Sequence, residues 1–188
     1  DYPFGRKELY GLAYRTDFDL KNHMEKSGQD LHYTDPETGE KFLPHVVEPS
    51  FGLDRSLLVV LLSVYAEEPS SVGASGGQGR VVLKLKPALA PFKAAVFPLL
   101  KNKPELVAKA REIYNTLRKD FMIAWDDRGN IGKRYFSQDE IGTPACITVD
   151  FQTLEDNTVT LRDRDTMEQK RVAVGDLPSH IRSLLPIG

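Results

Sequence analysis

The segment from residue 45 to residue 65, HVVEPSFGLDRSLLVVLLSVY, constrains the fold most, because a β-prone run there meets a turn and then an apolar helix. Residues 46–47 favour the end of a strand, Pro49 cannot continue a central ladder, and Gly52 permits a tight turn. Residues 57–65 are almost wholly apolar. This composition predicts a helix that is buried on most sides.

Three polar groups, Glu48, Ser50 and Arg55, lie close to this junction. A guanidinium matches phosphate oxygens and a carboxylate matches an ammonium, so the three groups suit a ligand that carries both an amine and a phosphate. They suit a structural role equally well, with Glu48 and Arg55 as a local ion pair and Ser50 as a helix cap. Spacing alone does not decide between the two interpretations.

Residues 48–55, EPSFGLDR, resemble the third signature motif of class II aminoacyl-tRNA synthetases in the version found in glycyl-tRNA synthetases. Residues 4–20, FGRKELYGLAYRTDFDL, resemble the strand and helix that precede this motif in the same family. Residues from about 81 to the end are similar to the anticodon-binding domain shared by the glycyl, histidyl, prolyl and threonyl enzymes. The resemblance covers nearly the whole chain and implies a C-terminal fragment of a synthetase of the bacterial, homodimeric type.

The resemblance also assigns site residues. It implies that glycine binds at Glu48, Pro49, Ser50, Phe51 and Gly52. It implies that ATP binds at Glu8, Leu9, Gly52, Leu53, Asp54 and Arg55. In these assignments Glu48 accepts the glycine ammonium, Phe51 and Gly52 shape a pocket too small for a side chain, Arg55 neutralises the terminal phosphates, and Glu8 occupies the acidic ATP and magnesium position. ATP is thus expected as a substrate with Mg²⁺, and no tightly bound cofactor or resident metal is expected.

The sequence has no counterpart of the first signature motif, which forms much of the dimer interface in the family, or of the second. The second motif supplies the arginine that holds the α-phosphate and the carboxylate. We therefore expect that the chain alone does not aminoacylate tRNA, and no catalytic residue is assigned. A first strand like residues 4–15 lies deep inside the catalytic domain of the family, so we expect the chain to be a fragment of a longer protein.

The two parts of the chain differ in net charge, and a segment rich in glycine and serine lies between them. Residues 1–80 hold 8 lysines and arginines against 13 aspartates and glutamates, a net charge of −5, whereas residues 81–188 hold 17 against 14, a net charge of +3. The second part is therefore the better candidate for nucleic acid. Residues 67–80, EEPSSVGASGGQGR, are predicted to be a flexible loop or linker between a catalytic part at 1–66 and the anticodon-binding domain at 81–188.

The compartment expected for such a chain is the cytoplasm. Its one cysteine, Cys146, excludes a disulfide framework. The apolar run at 57–65 is far too short to span a bilayer, so no membrane association is expected.

Strand and helix patterns alternate in the second part, which predicts a mixed sheet of about five strands with three flanking helices. Strands are predicted at 81–85, 92–99, 121–125, 145–151, 158–164 and 170–174, and helices at 104–117, 131–141 and 177–185. In the first part a strand is predicted over 4–15, a helix from 16 or 17 to 26, a hairpin or surface loop over 29–41, and a strand over 42–48. The fold class is α/β, a mixed five-stranded sheet with flanking helices, preceded by a partial antiparallel class II catalytic domain.

Two basic groups in the second part are candidates for tRNA binding. Lys133, Arg134 and Tyr135 lie at a predicted helix start, where backbone N–H groups and cations suit phosphate and an aromatic ring can stack on a base. Arg162 and Arg164, with Lys170 and Arg171, lie on a predicted hairpin.

For single residues the competing interpretation is ion pairing with nearby acids (Asp139, Glu140, Asp163 and Asp165). As a surface, the resemblance implies the anticodon of tRNA-Gly as the partner. The alternative function is that of a non-catalytic nucleic-acid-binding accessory protein that reuses this fold.

Overall fold

The computed structural model describes residues 1–69 and 79–185. The chain divides into two compact units, Asp1–Leu62 and Ser63–Gly188, which we call unit 1 and unit 2.

Unit 1 is built on a two-stranded antiparallel ribbon. Its elements are β1 (Tyr10–Thr16), α1 (Phe18–Ser27), β2 (Tyr33–Thr34), β3 (Lys41–Phe42), β4 (Val46–Phe51) and most of α2 (Leu53–Val64). β1 pairs with β4, and in this register Gly11 lies opposite Ser50 and Ala13 lies opposite Glu48. β2 and β3 form a short hairpin. The ribbon therefore delivers β4 directly into the turn before α2.

The prediction that the apolar helix is buried on most sides is wrong. No residue of α2 is buried, and Leu53 and Leu57 expose 82% and 59% of their surface. The described elements of unit 1 explain this result, because a ribbon of two strands and one other helix offers too little apolar surface to enclose α2.

Unit 2 contains a five-stranded mixed sheet. Its elements are β5 (Tyr65–Glu68), β6 (Arg80–Leu83), β7 (Ala94–Pro98), α3 (Pro104–Leu117), β8 (Ile123–Trp125), α4 (Ile131–Glu140), β9 (Ala145–Val149), α5 (Phe151–Asp156), β10 (Thr158–Asp163), β11 (Gln169–Ala173) and α6 (Leu177–Ser183). The strand order is β11-β10-β9-β7-β8. β7 is parallel to β8 and β9, whereas β10 is antiparallel to β9 and β11. The predicted α/β fold with a mixed five-stranded sheet is confirmed.

Helices cover both faces of this sheet. α3 begins with Pro104 in its first turn and buries the predicted stripe of Leu106, Ala110, Ile113 and Leu117. These side chains share one core with α6, whereas α4 packs on the opposite face. β7 and β9 are buried at every position, which explains why both strands are continuous apolar runs rather than alternating ones.

The structure differs from the predictions at two places in unit 2. The strand predicted to reach residue 151 ends at Val149, because the Asp150 side chain accepts the Thr153 backbone N–H at 3.0 Å and so starts α5, a helix that was not predicted. The predicted strand at 81–85 forms β6 (Arg80–Leu83), which pairs with β5 outside the main sheet.

This pairing also shortens the predicted linker. Glu67, Glu68 and Arg80 belong to the paired strands β5 and β6, and the Glu68 carboxylate binds both Arg80 and Lys84. Residues 70–78 of the predicted linker lie outside the described residues.

Candidate functional site

A cleft of about 540 Å³ in unit 1 brings together nearly all the residues assigned to ATP and glycine. Its lining comprises Glu8, Leu9, Ser50, Phe51, Gly52, Leu53, Asp54 and Arg55. The turn between β4 and α2 forms one wall, and the segment that leads into β1 forms the other. Two segments more than 40 residues apart in sequence thus meet at one site.

The turn between β4 and α2 is hydrogen-bonded to backbone carbonyls of the opposite wall. The Gly52 N–H donates to the Leu9 carbonyl at 3.2 Å, and the Arg55 guanidinium donates to the Glu8 carbonyl. A Cβ at position 52 would lie 3.1 Å from the Leu9 oxygen and 3.3 Å from Arg55 Cβ. A side chain at position 52 would therefore push the two walls apart by a few tenths of an ångström.

Arg55 is exposed in the cleft and, within residues 1–69 and 79–185, no carboxylate lies within ion-pair distance of it. It also lies in the first turn of α2, where the backbone dipole favours anions. A guanidinium in this position can bind phosphate oxygens in a bidentate manner. The Glu8 carboxylate is exposed nearby and supplies oxygen ligands of the kind that Mg²⁺ prefers.

Glu48 and Pro49 do not line this cleft. The Glu48 carboxylate accepts a hydrogen bond from Arg15 Nε at 2.7 Å, and this bond raises the pKa of Arg15. The ion pair between Glu48 and Arg55 that the sequence suggested is thus not formed. Arg15 was missed by sequence reasoning, although the strand alternation carries the signal: Arg15 follows Ala13 by two residues, and Ala13 pairs with Glu48.

Gly11 is a second residue that sequence reasoning missed. It lies opposite Ser50 in the ribbon, and a Cβ at position 11 would lie 2.8 Å from Ser50 Oγ and 3.5 Å from Glu8 Oε1. A side chain on β1 at this position would therefore require the Ser50 hydroxyl to move.

In unit 2 the residues of the first basic group, Lys133, Arg134 and Tyr135, lie in different environments. Lys133 is exposed at the start of α4, where Asn130 caps the helix by accepting the Lys133 N–H at 2.9 Å. Arg134 is 2% exposed and donates to three backbone carbonyls, those of Pro98, Arg128 and Gly129. Burial lowers the pKa of Arg134.

Tyr135 also faces inward. Its hydroxyl lies 2.6 Å from Thr148 Oγ1, and its ring packs edge-on against Phe97. Burial raises the pKa of Tyr135. Neither the ring nor the hydroxyl is presented to a base in this arrangement.

The second basic group is buried as well. Arg162 is 4% exposed and donates to both oxygens of Asp139, at 2.9 and 3.0 Å. Arg164 is 3% exposed, donates to the Gly142 carbonyl at 2.8 Å and pairs with Asp165. Burial lowers the pKa of Arg162, but hydrogen bonding and charge from Asp139 outweigh it, so the pKa of Arg162 is raised.

The predicted contacts of tRNA with Arg134, Arg162 and Arg164 therefore need correction. Their N–H donors are used inside the domain, so these arginines stabilise loops and strands. For Arg162 and Arg164 the competing interpretation, ion pairing with acids, describes the geometry. Lys133 is the exposed cation of the first group.

Arg80 joins Asp139 and Arg162 in a buried cluster that the sequence did not reveal. Its guanidinium donates to Asp139 Oδ2 at 2.9 Å and to the Arg164 carbonyl at 2.7 Å, and it pairs with Glu68 at 2.6 Å. We call Arg80, Asp139 and Arg162 the buried arginine cluster. It ties the β5–β6 ribbon to α4 and β10.

Residues 1–69 and 79–185 contain neither a membrane-spanning helix nor a cluster of metal ligands. No helix there has the length and apolar character needed to cross a membrane. No group of three or more histidine, cysteine, aspartate or glutamate side chains there is placed to hold a metal ion.

The chain is similar to known proteins over most of its length. Residues 93–184 match the family described as "Anticodon binding domain". Over 180 residues, 96% of the chain, the sequence is 54% identical to the "Glycine--tRNA ligase" of Clostridium tetani. This chain belongs to the glycyl-tRNA synthetase family. Among further family members, the ligase of Alkaliphilus metalliredigens is 57% identical over 94% of the chain, and that of Geobacillus thermodenitrificans is 52% identical over 96%.

The chain spans 37% of the length of each of these three relatives. Within the glycyl-tRNA synthetase family it corresponds to a C-terminal fragment, as the sequence indicated. The anticodon-binding match contains every strand of the five-stranded sheet, whereas β5 and β6 precede it.

Proposed function

We propose that this chain provides the third-motif segment and the anticodon-binding domain of a glycine–tRNA ligase, which uses ATP with Mg²⁺ to attach glycine to tRNA-Gly. The observation that supports this proposal is the cleft in unit 1. It joins Glu8, Ser50, Gly52 and Arg55 in a chain that is 54% identical to a "Glycine--tRNA ligase" over 96% of its length. An accessory protein that only binds nucleic acid has no use for a cleft that joins residues of the ATP and glycine assignments.

On the ATP side, Arg55 binds the terminal phosphates, helped by its place in the first turn of α2. Glu8 offers an oxygen ligand to the Mg²⁺ that accompanies ATP. The chemistry is attack of the glycine carboxylate on the α-phosphate with loss of pyrophosphate, followed by attack of the tRNA 3′-terminal hydroxyl on the glycyl carbonyl with loss of AMP. Positioning and electrostatic stabilisation carry most of such a reaction.

On the glycine side, the family resemblance is the ground for selection by size, with Phe51 and Gly52 shaping a pocket closed to a side chain. A steric clash discriminates more strongly than the ~1–3 kcal/mol that filling a methylene space provides. The glycine ammonium would compete with Arg15 for the Glu48 carboxylate, which is 45% exposed.

The compartment, the oligomeric state and the activity of the fragment are proposed from the family resemblance. The whole enzyme is proposed to be a cytoplasmic homodimer. The fragment is proposed to be inactive by itself, because its sequence has no counterpart of the second-motif arginine. Glycine-dependent pyrophosphate exchange by the purified chain would contradict this inactivity.

For tRNA, the supported site is the edge of the sheet where β7 and β8 end and α4 begins. Ligands of open α/β sheets bind at the carboxyl ends of the parallel strands. Lys133 is exposed there at a helix N-terminus, which suits a phosphate of the anticodon loop.

The test is binding of the chain to tRNA-Gly and to a variant with a swapped anticodon, at two salt concentrations. We expect tighter binding to the native anticodon. Lys133→Gln should weaken both complexes by a similar factor and lower the salt dependence by about one phosphate contact. Equal and steeply salt-dependent binding of both tRNAs by the native chain would refute anticodon reading by this domain.

A further inference from the structure

Four side chains at the β8 edge of unit 2 form one continuous stack. The Arg111 guanidinium lies 3.5 Å from the centroid of the Trp125 ring, and the Tyr114 ring meets Trp125 edge-on at 5.8 Å. The Arg118 guanidinium lies 5.3 Å from the Tyr114 ring. We call Arg111, Tyr114, Arg118 and Trp125 the arginine–aromatic stripe.

Local structure explains the alignment. Arg111, Tyr114 and Arg118 follow one another at helical spacing along the side of α3, and Trp125 is the last residue of β8, an edge strand. Tyr114 and Trp125 pack against the core with their inner surfaces. The indole Nε1 donates to Asp127 at 3.2 Å, which fixes the plane of the ring.

The two guanidiniums of the stripe differ from the buried arginines described above. Both are exposed, and within residues 1–69 and 79–185 no carboxylate lies within 4 Å of either one. The acids closest to them along α3 have other partners, since Glu112 pairs with Lys109 and Asp120 with Arg182. Lys119 adds a further exposed positive charge beside Arg118.

A stacked guanidinium is well prepared to bind phosphate. A guanidinium held against a ring keeps its N–H groups free to match phosphate oxygens. Arg111 and Arg118 are separated by seven residues, which is roughly 10 Å along a helix. The stripe therefore presents two ordered phosphate-binding groups along one straight edge.

We propose that the arginine–aromatic stripe is a second RNA-binding surface, which holds the sugar–phosphate backbone of the tRNA outside the anticodon loop. The inference rests on the proposed function and extends it from anticodon reading to a separate positioning contact. The partner is RNA because the exposed groups are unpaired cations on flat aromatic supports, the combination that binds phosphates regardless of base sequence. Such contacts fix the orientation of the nucleic acid and carry no sequence information.

Trp125 gives the experiment a local probe, because it is the only tryptophan of the chain. The chain would be titrated with tRNA-Gly and with the anticodon-swapped tRNA while its fluorescence is recorded, in the native form and as Arg111→Gln and Arg118→Gln. We expect tRNA to change the emission of the native chain. At a salt slope of ~0.7–0.9 per phosphate, each variant should lose about 5–10-fold in affinity near 0.1 M salt and about one unit of slope.

Two control variants separate stacking from net charge. Arg111→Lys keeps the charge but not the planar fork, and it should recover part of the affinity lost in Arg111→Gln. Lys86→Gln removes the same charge from the exposed segment between β6 and β7, which belongs to neither basic group, and should leave affinity within about twofold of the native value. Circular dichroism would verify that each variant is folded.

The outcomes distinguish this inference from the proposed function. Equal losses for both tRNAs in the stripe variants support the inference, whether or not the native chain prefers the native anticodon. Unchanged affinity and salt slope in the Arg111→Gln, Arg118→Gln double variant would overturn the inference and leave anticodon reading intact. A loss in Lys86→Gln as large as in the stripe variants would also overturn it, and a native chain that binds neither tRNA would overturn both proposals.

Discussion

Asp139→Asn should be among the most damaging single substitutions in unit 2. The Asp139 side chain is fully buried and accepts three charge-assisted hydrogen bonds, one from Arg80 and two from Arg162, at 2.9 to 3.0 Å. Asparagine has nearly the same shape but no charge, and its amide N–H groups would face guanidinium N–H groups. Two buried cations would then lose their shared counterion.

The expected cost is about 3–5 kcal/mol, the range for removal of one partner from a buried ion pair. Because Trp125 is the only tryptophan, its fluorescence in a urea titration reports the unfolding of unit 2. At a slope of ~2 kcal/mol per M urea, the loss moves the midpoint down by about 1.5–2.5 M. This shift is large enough to measure without ambiguity.

Asp120→Asn is the matched control. Asp120 pairs with Arg182 at 3.5 Å, and both side chains are about 60% exposed, so the same chemical change should cost less than about 0.5 kcal/mol. If Asp139→Asn cost no more than Asp120→Asn, the buried arginine cluster would not hold the domain together and this reasoning would be refuted.

Two further predictions concern Asp150 and Gly142. Burial raises the pKa of the Asp150 carboxyl, but hydrogen bonds led by that of Arg171 outweigh it and hold the pKa below its usual value. The resulting stabilisation is present above the unfolded pKa of about 3.9 and is lost as pH falls below it. Asp150→Asn should therefore flatten the decline of Tm between about pH 5 and 3, and parallel curves for the two proteins would contradict this. Gly142 has φ +78°, and a Cβ there would lie 2.9 Å from the Leu83 carbonyl oxygen. Gly142→Ala should lower the free energy of unfolding in urea by at least the ~1–2 kcal/mol that a left-handed backbone costs a residue with a Cβ. Gly175→Ala is the control, because a Cβ there meets open space, and it should cost under about 0.5 kcal/mol. Similar losses in the two variants would contradict this prediction.

Local patterns predicted most of the architecture. The junction at 45–65 was recognised as strand, turn and helix because Gly52 and the apolar run act on their own short segment, but Pro49 does not end the strand, since β4 continues to Phe51. The prediction of the apolar face of α3 was correct for the same reason, since helical spacing by itself places Leu106 and Ile113 on one face. The family resemblance, rather than a local pattern, suggested that Glu8 and Arg55 belong to one site, and both residues line the same cleft although they are far apart in sequence.

The errors arose where distant segments meet. Three of the five residues predicted to contact tRNA, Arg134, Arg162 and Arg164, are internal, because their partners come from other loops and strands. An exposed arginine and a buried one look alike in a sequence. What distinguishes them is whether a carboxylate or carbonyl from elsewhere in the chain reaches the guanidinium.

The sequence by itself determined the order of the elements, the strand–turn–helix motif and the α/β class, because these depend on the apolar period and on turn residues that act within a few positions. Tertiary structure alone decided which charges are available to a ligand. Asp139 lies 59 residues from Arg80 and 23 from Arg162, and these three meet only when α4, β6 and β10 pack together. Burying a charge is unfavourable unless a counterion is buried with it, so the fold holds these groups in its interior and leaves Arg55, Lys133 and Arg111 exposed.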